Sequence, residues 1–249
     1  ESRGLGDVYK RQELNEVNIV TRKLGTMKLR SSVMNEDMIS SAELSRAACC
    51  NLGESFVTNP SVDVSYSDAA TGAKQIKLLG LSGTYVQMLT ENIPNYRGAA
   101  APYGLGYVPG PWMQSIQVSK GTSSVKNGYE AITGQINVEF KKPQLPEADW
   151  VSANLFASTT NRYEANADAT LKISKRWSTS LLAHYENETK AHDGNDDGFV
   201  DIPQVEQYNV WNRWAYMGDH YVFQAGIKAL SETRTSGQAN HGGTMHSGD

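Results

Sequence analysis

The sequence holds only two cysteines in 249 residues, and they are neighbours, Cys49 and Cys50. That excludes a disulfide framework and a Cys-x-x-Cys zinc site. A bridge between adjacent residues would be strained, so two buried thiols are the simple reading. Long apolar runs are missing too. No stretch approaches the ~18 residues of a membrane helix, which excludes helical spans but says nothing of strands that cross a bilayer with alternating faces. Positive charge is not in excess: 23 Lys and Arg stand against 27 Asp and Glu, a formal net charge of −4. With no basic stripe to neutralise phosphates, nucleic acid is not expected as a partner. At 39% hydrophobic and 20% charged residues, the chain is neither a coiled coil nor a disordered polyelectrolyte. Its length allows one or two domains. No Gly-rich turn leads a Lys-Ser/Thr pair into a helix, and the G-x-S-x-G elbow is absent. Ser82, Ser123 and Ser124 have no His/Asp spacing around them, so no catalytic residue is expected and the chain reads as no enzyme.

What is present is strongly patterned from Trp150 onward. In the run 163–173, Tyr163, Ala165, Ala167, Ala169, Leu171 and Ile173 alternate without exception with Glu164, Asn166, Asp168, Thr170 and Lys172. Such a period of two marks strands with unlike faces. Trp177, Thr179, Leu181, Ala183 and Tyr185 oppose Ser178, Ser180, His184 and Glu186, with Leu182 the one break. Val151, Ala153, Leu155 and Ala157 follow the same rule, and it recurs in 208–216 and 221–229. A soluble sandwich would alternate as well. Three features favour a membrane: runs of about ten residues, long enough for a tilted bilayer crossing; aromatics near strand ends (Trp150, Tyr163, Trp177, Tyr185, Tyr208, Tyr221); and connections that are short at Ser174–Arg176 and Gly218–His220 but long at Lys190–Gln207 and beyond Glu232. About five such strands cannot close, since eight is about the smallest bacterial barrel and open edges in lipid are costly. A fragment of a longer barrel is therefore expected.

The segment before the strands is different. Asn35 can cap a helix running to about Ala48, with Glu36 and Asp37 in its first turn. Short β-branched runs follow at 62–65, 75–79, 85–89, 115–120 and 135–140, cut by Gly and Pro. Gly80, Gly83, Gly121, Gly128 and Gly134 stand where positive φ or close backbone approach is needed. This is a mixed α+β domain.

Here the residues carry a resemblance. Leu79-Gly80-Leu81-Ser82-Gly83, Val86-Gln87-Met88-Leu89 and Ile93-Pro94 resemble the first half of a TonB-dependent receptor plug. The stretch 116–125 (IQVSKGTSSV), then Asn127-Gly128, Ala131-Ile132-Thr133-Gly134 and Ile136-Asn137-Val138, resembles the second. The likeness covers about residues 16–235 and is strongest to Bacteroidetes members. Two departures stand out: Leu79 replaces the usual Arg, and Glu91-Asn92 replaces the usual Asp-Gly. The resemblance implies an α+β plug domain followed by antiparallel transmembrane β-barrel strands, here an incomplete barrel. It also implies the bacterial outer membrane, with lipid, a scarce solute (iron chelate, haem, cobalamin, glycan or metal ion) and the TonB C-terminal domain as partners. The expected division is a non-native tail at 1–12, a TonB-box-like segment and linker at 13–33, the plug at 34–146 and barrel strands with extracellular loops at 147–249.

Four groups of residues are candidate sites. Glu16, Val17, Asn18, Ile19, Val20 and Thr21 resemble the TonB box, a β-prone segment able to add to a partner's sheet edge; the alternative is an ordinary first plug strand. Asp193, Asn195, Asp197 and Asp201 match the D-x-N-x-D-G spacing of a calcium loop, with Gln204 where the bidentate Glu would stand. A structural Ca²⁺ is the only cofactor this suggests, a solvated acidic loop is the alternative, and no cofactor is required. Tyr96, Arg97, Tyr103 and Tyr107 lie in an aromatic Gly/Pro-rich loop that the resemblance turns toward the extracellular cavity, as ligand contacts or as packing against the barrel wall. His241, Met245 and His246 could take a soft metal, against a plain flexible end. The competing account of the whole is a soluble, calcium-stabilised surface-binding or adhesion module.

Overall fold

The computed structural model describes residues 27–28, 35–46, 50–56, 59–68, 72–81, 83–122, 127–143, 150–194 and 198–237. The tail 1–12, the segment 16–21, Cys49, Asn195, Asp197 and the histidine-rich end lie outside them.

The first domain is a mixed sheet. Its strands are β1 (Met27–Lys28), β2 (Asn35–Ser40), β5 (Val86–Thr90), β6 (Ile93–Pro94), β7 (Met113–Lys120) and β8 (Gly134–Phe140), with a separate hairpin of β3 (Val62–Asp68) and β4 (Ala73–Leu78). The sheet order is β1-β2-β7-β8-β5-β6, and only the β5–β8 pair is parallel. A short helix, α1 (Ser41–Arg46), packs on β2 and β7 of this sheet, and a second, α2 (Ala101–Gly104), packs on β4 of the hairpin. Ile39, Leu78, Trp112, Ile116, Val138 and Phe140 are among the side chains of its core.

The helix expected from Asn35 is corrected. Residues 35–40 are a strand, and helix occupies only Ser41–Arg46. Pairing overrides the local capping signal: this segment lies antiparallel on β7 from Asn35↔Lys120 to Ser40↔Ser115. The acidic residues expected in a first helical turn serve the sheet instead. Asp37 pairs with Lys120 at 2.6 Å, and Glu36 accepts from the Ser119 hydroxyl at 3.0 Å.

The substitution of Glu91-Asn92 for Asp-Gly has a structural consequence. Both residues have positive φ, 52° and 64°, as a two-residue hairpin turn requires. Asn tolerates this conformation, but Glu is uncommon there, so something must hold Glu91. Gly134 shows the opposite economy: at φ 154° a Cβ would stand 2.1 Å from the Ser119 carbonyl oxygen.

The second domain is a five-stranded antiparallel meander, β9 (Trp150–Ala157), β10 (Arg162–Lys172), β11 (Trp177–Glu188), β12 (Gln204–Met217) and β13 (Val222–Thr235). Its faces are inverted relative to a soluble sheet. The apolar face is bare, with Leu155 81% and Ile227 80% exposed, while the polar face is covered, with Asn209 0% and Asn166 4% exposed. The plug domain covers it. Leu182 now has its reason: it lies on the polar face yet joins the hydrophobic cluster of the plug, beside its register partner Trp211, so the wall is apolar at that point.

Aromatic rings form two rows on the bare face. Trp177 lies 6.4 Å from Trp214 and 5.1 Å from Tyr216, and Tyr216 stacks on Tyr221 at 5.4 Å. Toward the other rim, Tyr185 meets Tyr208 at 4.9 Å. The eight steps from Trp177 to Tyr185, at ~3.4 Å each, separate the rows by about 27 Å along the strand, or about 21 Å of height at a tilt of ~40°, somewhat less than the ~25 Å apolar band of outer-membrane barrels. The connections are less regular than expected. The turn rim carries the two short links anticipated, but the loop rim carries the short β9–β10 link beside the long β11–β12 one. Among the described residues the sheet does not close.

Candidate functional site

The inward face of the wall grips the plug at several levels. Nearest the turn rim, Arg213 on β12 donates both guanidinium arms to the Glu91 carboxylate at 2.6 Å and also reaches the Lys141 carbonyl. This pairing is what holds Glu91 in its unusual turn. Beside it, the Lys141 ammonium bonds Asp168 at 2.7 Å, and Asp168 accepts from Ser152 at 2.6 Å. An aromatic seam follows: Phe140 lies edge-on between Trp112 at 6.2 Å and Trp211 at 4.7 Å. Further toward the loop rim, Asn209 donates to the Tyr107 carbonyl at 3.1 Å, and Lys228 to the same carbonyl at 3.0 Å.

At the loop rim Arg162 is a hub. It meets Glu54 of the plug at 3.0 Å, Glu164 at 2.7 Å and Glu186 at 3.0 Å. His184 Nδ1 lies 2.8 Å from Asn166 Oδ1. Above the hub a cavity of about 330 Å³ opens between plug and wall, lined by Glu54, Lys74, Tyr103, Glu188, Glu232 and Arg234 among others. Burial disfavours the Glu54 carboxylate, but the Arg162 charge, its hydrogen bond and the Cys50 N–H outweigh that, holding the carboxyl below its ordinary range. Burial pushes Lys74 down against the opposing charge of Glu54. It pushes the Cys50 thiol up, with Glu164 and Glu54 adding to the shift, which disfavours the thiolate at this buried residue. A second, more apolar cavity of about 510 Å³ lies on the plug among Tyr85, Met88, Tyr96, Arg97, Tyr129 and Ile132.

The structure places the aromatic loop residues in different settings. Tyr96 and Tyr107 pack the plug to the wall; their rings lie 6.4 Å apart, and burial raises the Tyr96 hydroxyl. Arg97 borders the apolar cavity, pairs with Glu130 at 2.5 Å and lies 6.0 Å from the Tyr129 ring. Tyr103 lines the charged cavity beneath Arg234, at 5.5 Å. In the acidic loop, Asp193 accepts the Gly198 N–H at 2.9 Å and Asp201 the Gly194 N–H at 2.7 Å. Both carboxylates thus shape the turn. The other two members of that spacing, Asn195 and Asp197, are outside the described residues, as is the whole of 16–21. Sequence reasoning assigned no role to Glu54, Glu91, Arg162, Arg213 or Lys228. The wall members were legible as inward positions of the period-two pattern; their plug partners left no such signal.

A mixed α+β domain seated on the polar face of barrel-type strands is the architecture of a plugged outer-membrane barrel. Residues 28–135 match the family model described as the TonB-dependent Receptor Plug Domain, so this segment is similar to the plug of that family. Among curated proteins, it is 23% identical over 184 residues to the Vitamin B12 transporter BtuB of Vibrio vulnificus, covering 74% of this chain and 30% of the relative. Among solved structures, the siderophore receptor PirA of Acinetobacter baumannii superposes with TM-score 0.67 at 16% identity, over 80% of this chain and 32% of that one. The copper transporter OprC gives 0.66 at 15% identity, over 86% and 32%. The chain spans about a third of the length of these relatives. They are named as transporters and receptors and not as enzymes, and the family resides in the bacterial outer membrane.

Proposed function

We propose that this chain is the plug and first wall strands of an outer-membrane transporter that captures a scarce solute and admits it to the periplasm using energy delivered through TonB. The observation that carries the reading is the inverted sheet: its apolar face is bare and its polar face is bonded to the plug. In this account the loop rim faces outward, and the two cavities flanking 96–107 are where plug residues meet cargo. Arg97 and Tyr103 are the contacts, while Tyr96 and Tyr107 hold the loop that bears them. Glu16–Thr21 would pair with a sheet edge of TonB through its backbone. The solutes named for the relatives, vitamin B12, siderophores and copper, set the probes.

The test is uptake by cells expressing the full-length protein, with radiolabelled cobalamin, a ferric siderophore panel and Cu²⁺, in strains with and without TonB. Accumulation of one probe that is lost without TonB is the expected result. Saturable surface binding with no TonB-dependent accumulation of any of them would leave the protein a receptor and remove the transport step.

A further inference from the structure

Lys228 occupies a setting that the charged residues around it do not share. It points from the middle of β13 into the plug, and among the described residues no carboxylate lies within ion-pair distance. Its ammonium instead donates to the Tyr107 carbonyl at 3.0 Å and the Tyr96 hydroxyl at 3.3 Å. It also lies 5.9 Å from the ring centre of Tyr96, 5.7 Å from Trp112 and 6.0 Å from Trp211. Three aromatic faces and a carbonyl replace the counter-charge, an arrangement that gains strength where water is excluded.

The residue it touches is held out of its preferred conformation. Tyr96 has φ 52°, in the left-handed region that a bulky residue keeps only when its surroundings enforce it. Three neighbours enforce it here. Asn95 Oδ1 accepts the Tyr96 N–H at 2.9 Å. Gly104 leaves space for the ring, since a Cβ there would stand 2.4 Å from Tyr96 Cγ. Lys228 caps the ring and hydroxyl from the wall. Of the three, only Lys228 belongs to the barrel wall.

We propose that Lys228 is a positioning residue: a cation pin through which the barrel wall holds the 96–107 segment, with Tyr96 strained, in the shape that presents Arg97 and Tyr103 to the cavities. Presentation to cargo rests on the transporter reading; the pin itself does not. Withdrawal of the pin lets Tyr96 relax and frees the segment, whereas the Arg213–Glu91 clasp on another part of the plug stays closed.

The experiment is hydrogen exchange on the full-length receptor in detergent micelles, with no cargo added. In Lys228→Met, which keeps an apolar stem and loses the charge, amides of 96–107 are expected to exchange at least about tenfold faster, with β8 unchanged; Lys228→Arg, which restores a cation over the rings, stays within about twofold of the parent. Protection in Lys228→Met equal to the parent overturns the proposal. So does equal loss in the Met and Arg variants. Should Lys228→Met fail to fold, the same question is put from the plug side. Tyr96→Phe keeps the ring face and should keep protection, Tyr96→Leu should lose it, and equal behaviour of the two overturns the pin. Since no cargo enters the measurement, its failure leaves the uptake assay to judge the transporter reading separately.

Discussion

Glu91 and Arg213 form a buried pair, their side chains 17% and 6% exposed. Removing one member leaves a charge that water cannot reach, so Glu91→Ala should destabilise the plug–wall contact by about 3 kcal/mol. Adding Arg213→Met should recover part of the loss, because the stranded charge is gone. Urea titration of plug protection in micelles reads both. Glu54 gives the pH dependence at this scale. Its folded carboxyl sits below the ordinary 4.5, so its contribution is fully present above that value and is lost as pH falls through the lowered one. Protease access to the plug at the loop rim should therefore rise on acidification below about pH 4.5, and Glu54→Gln should remove that component of the profile.

The strands were the most legible elements, for a physical reason. A bilayer on one side and a wet interface on the other impose a strict period of two, and nothing local competes with it. Even the exception at Leu182 was visible as a break, although its cause, a plug side chain opposite, was not. The plug was legible in its strand runs and glycines but misread at Asn35, where capping chemistry and strand pairing point to different structures and the partner strand lies some eighty residues away. The clasp was illegible on the plug side because Glu54 and Glu91 occur singly, in a 3₁₀ turn and a hairpin turn without periodicity. The lipid-facing reading makes a directional prediction for these elements. Ile227→Lys, on the bare face, should impair insertion into lipid vesicles by about 2–4 kcal/mol if it lies near the midplane. Gln224→Lys, on the inward face, should cost much less. Heat-modifiable electrophoretic mobility of the refolded receptor separates the two.

At the scale of the whole molecule, the two domains form one structure because the plug covers and bonds the polar face of the wall at several points and leaves the apolar face bare. A contiguous bare face that includes Val151, Leu155, Leu181, Val210, Phe223 and Ile227 is far larger than soluble proteins tolerate. The chain should precipitate or form large oligomers in buffer and become monodisperse only with detergent. In brominated-lipid vesicles, Trp177 and Trp214 on the outside should be quenched and Trp112 inside the plug should not, as single-tryptophan variants would show. A monodisperse soluble monomer would instead favour the surface-binding module.

The open sheet has one more consequence. Among the described residues β9 and β13 each pair on one side only, so each offers a ladder of amides and carbonyls to any chain that arrives in register. In the account proposed above, further strands of the barrel take up both ladders, so amide exchange along β9 and β13 reports whether the wall has closed.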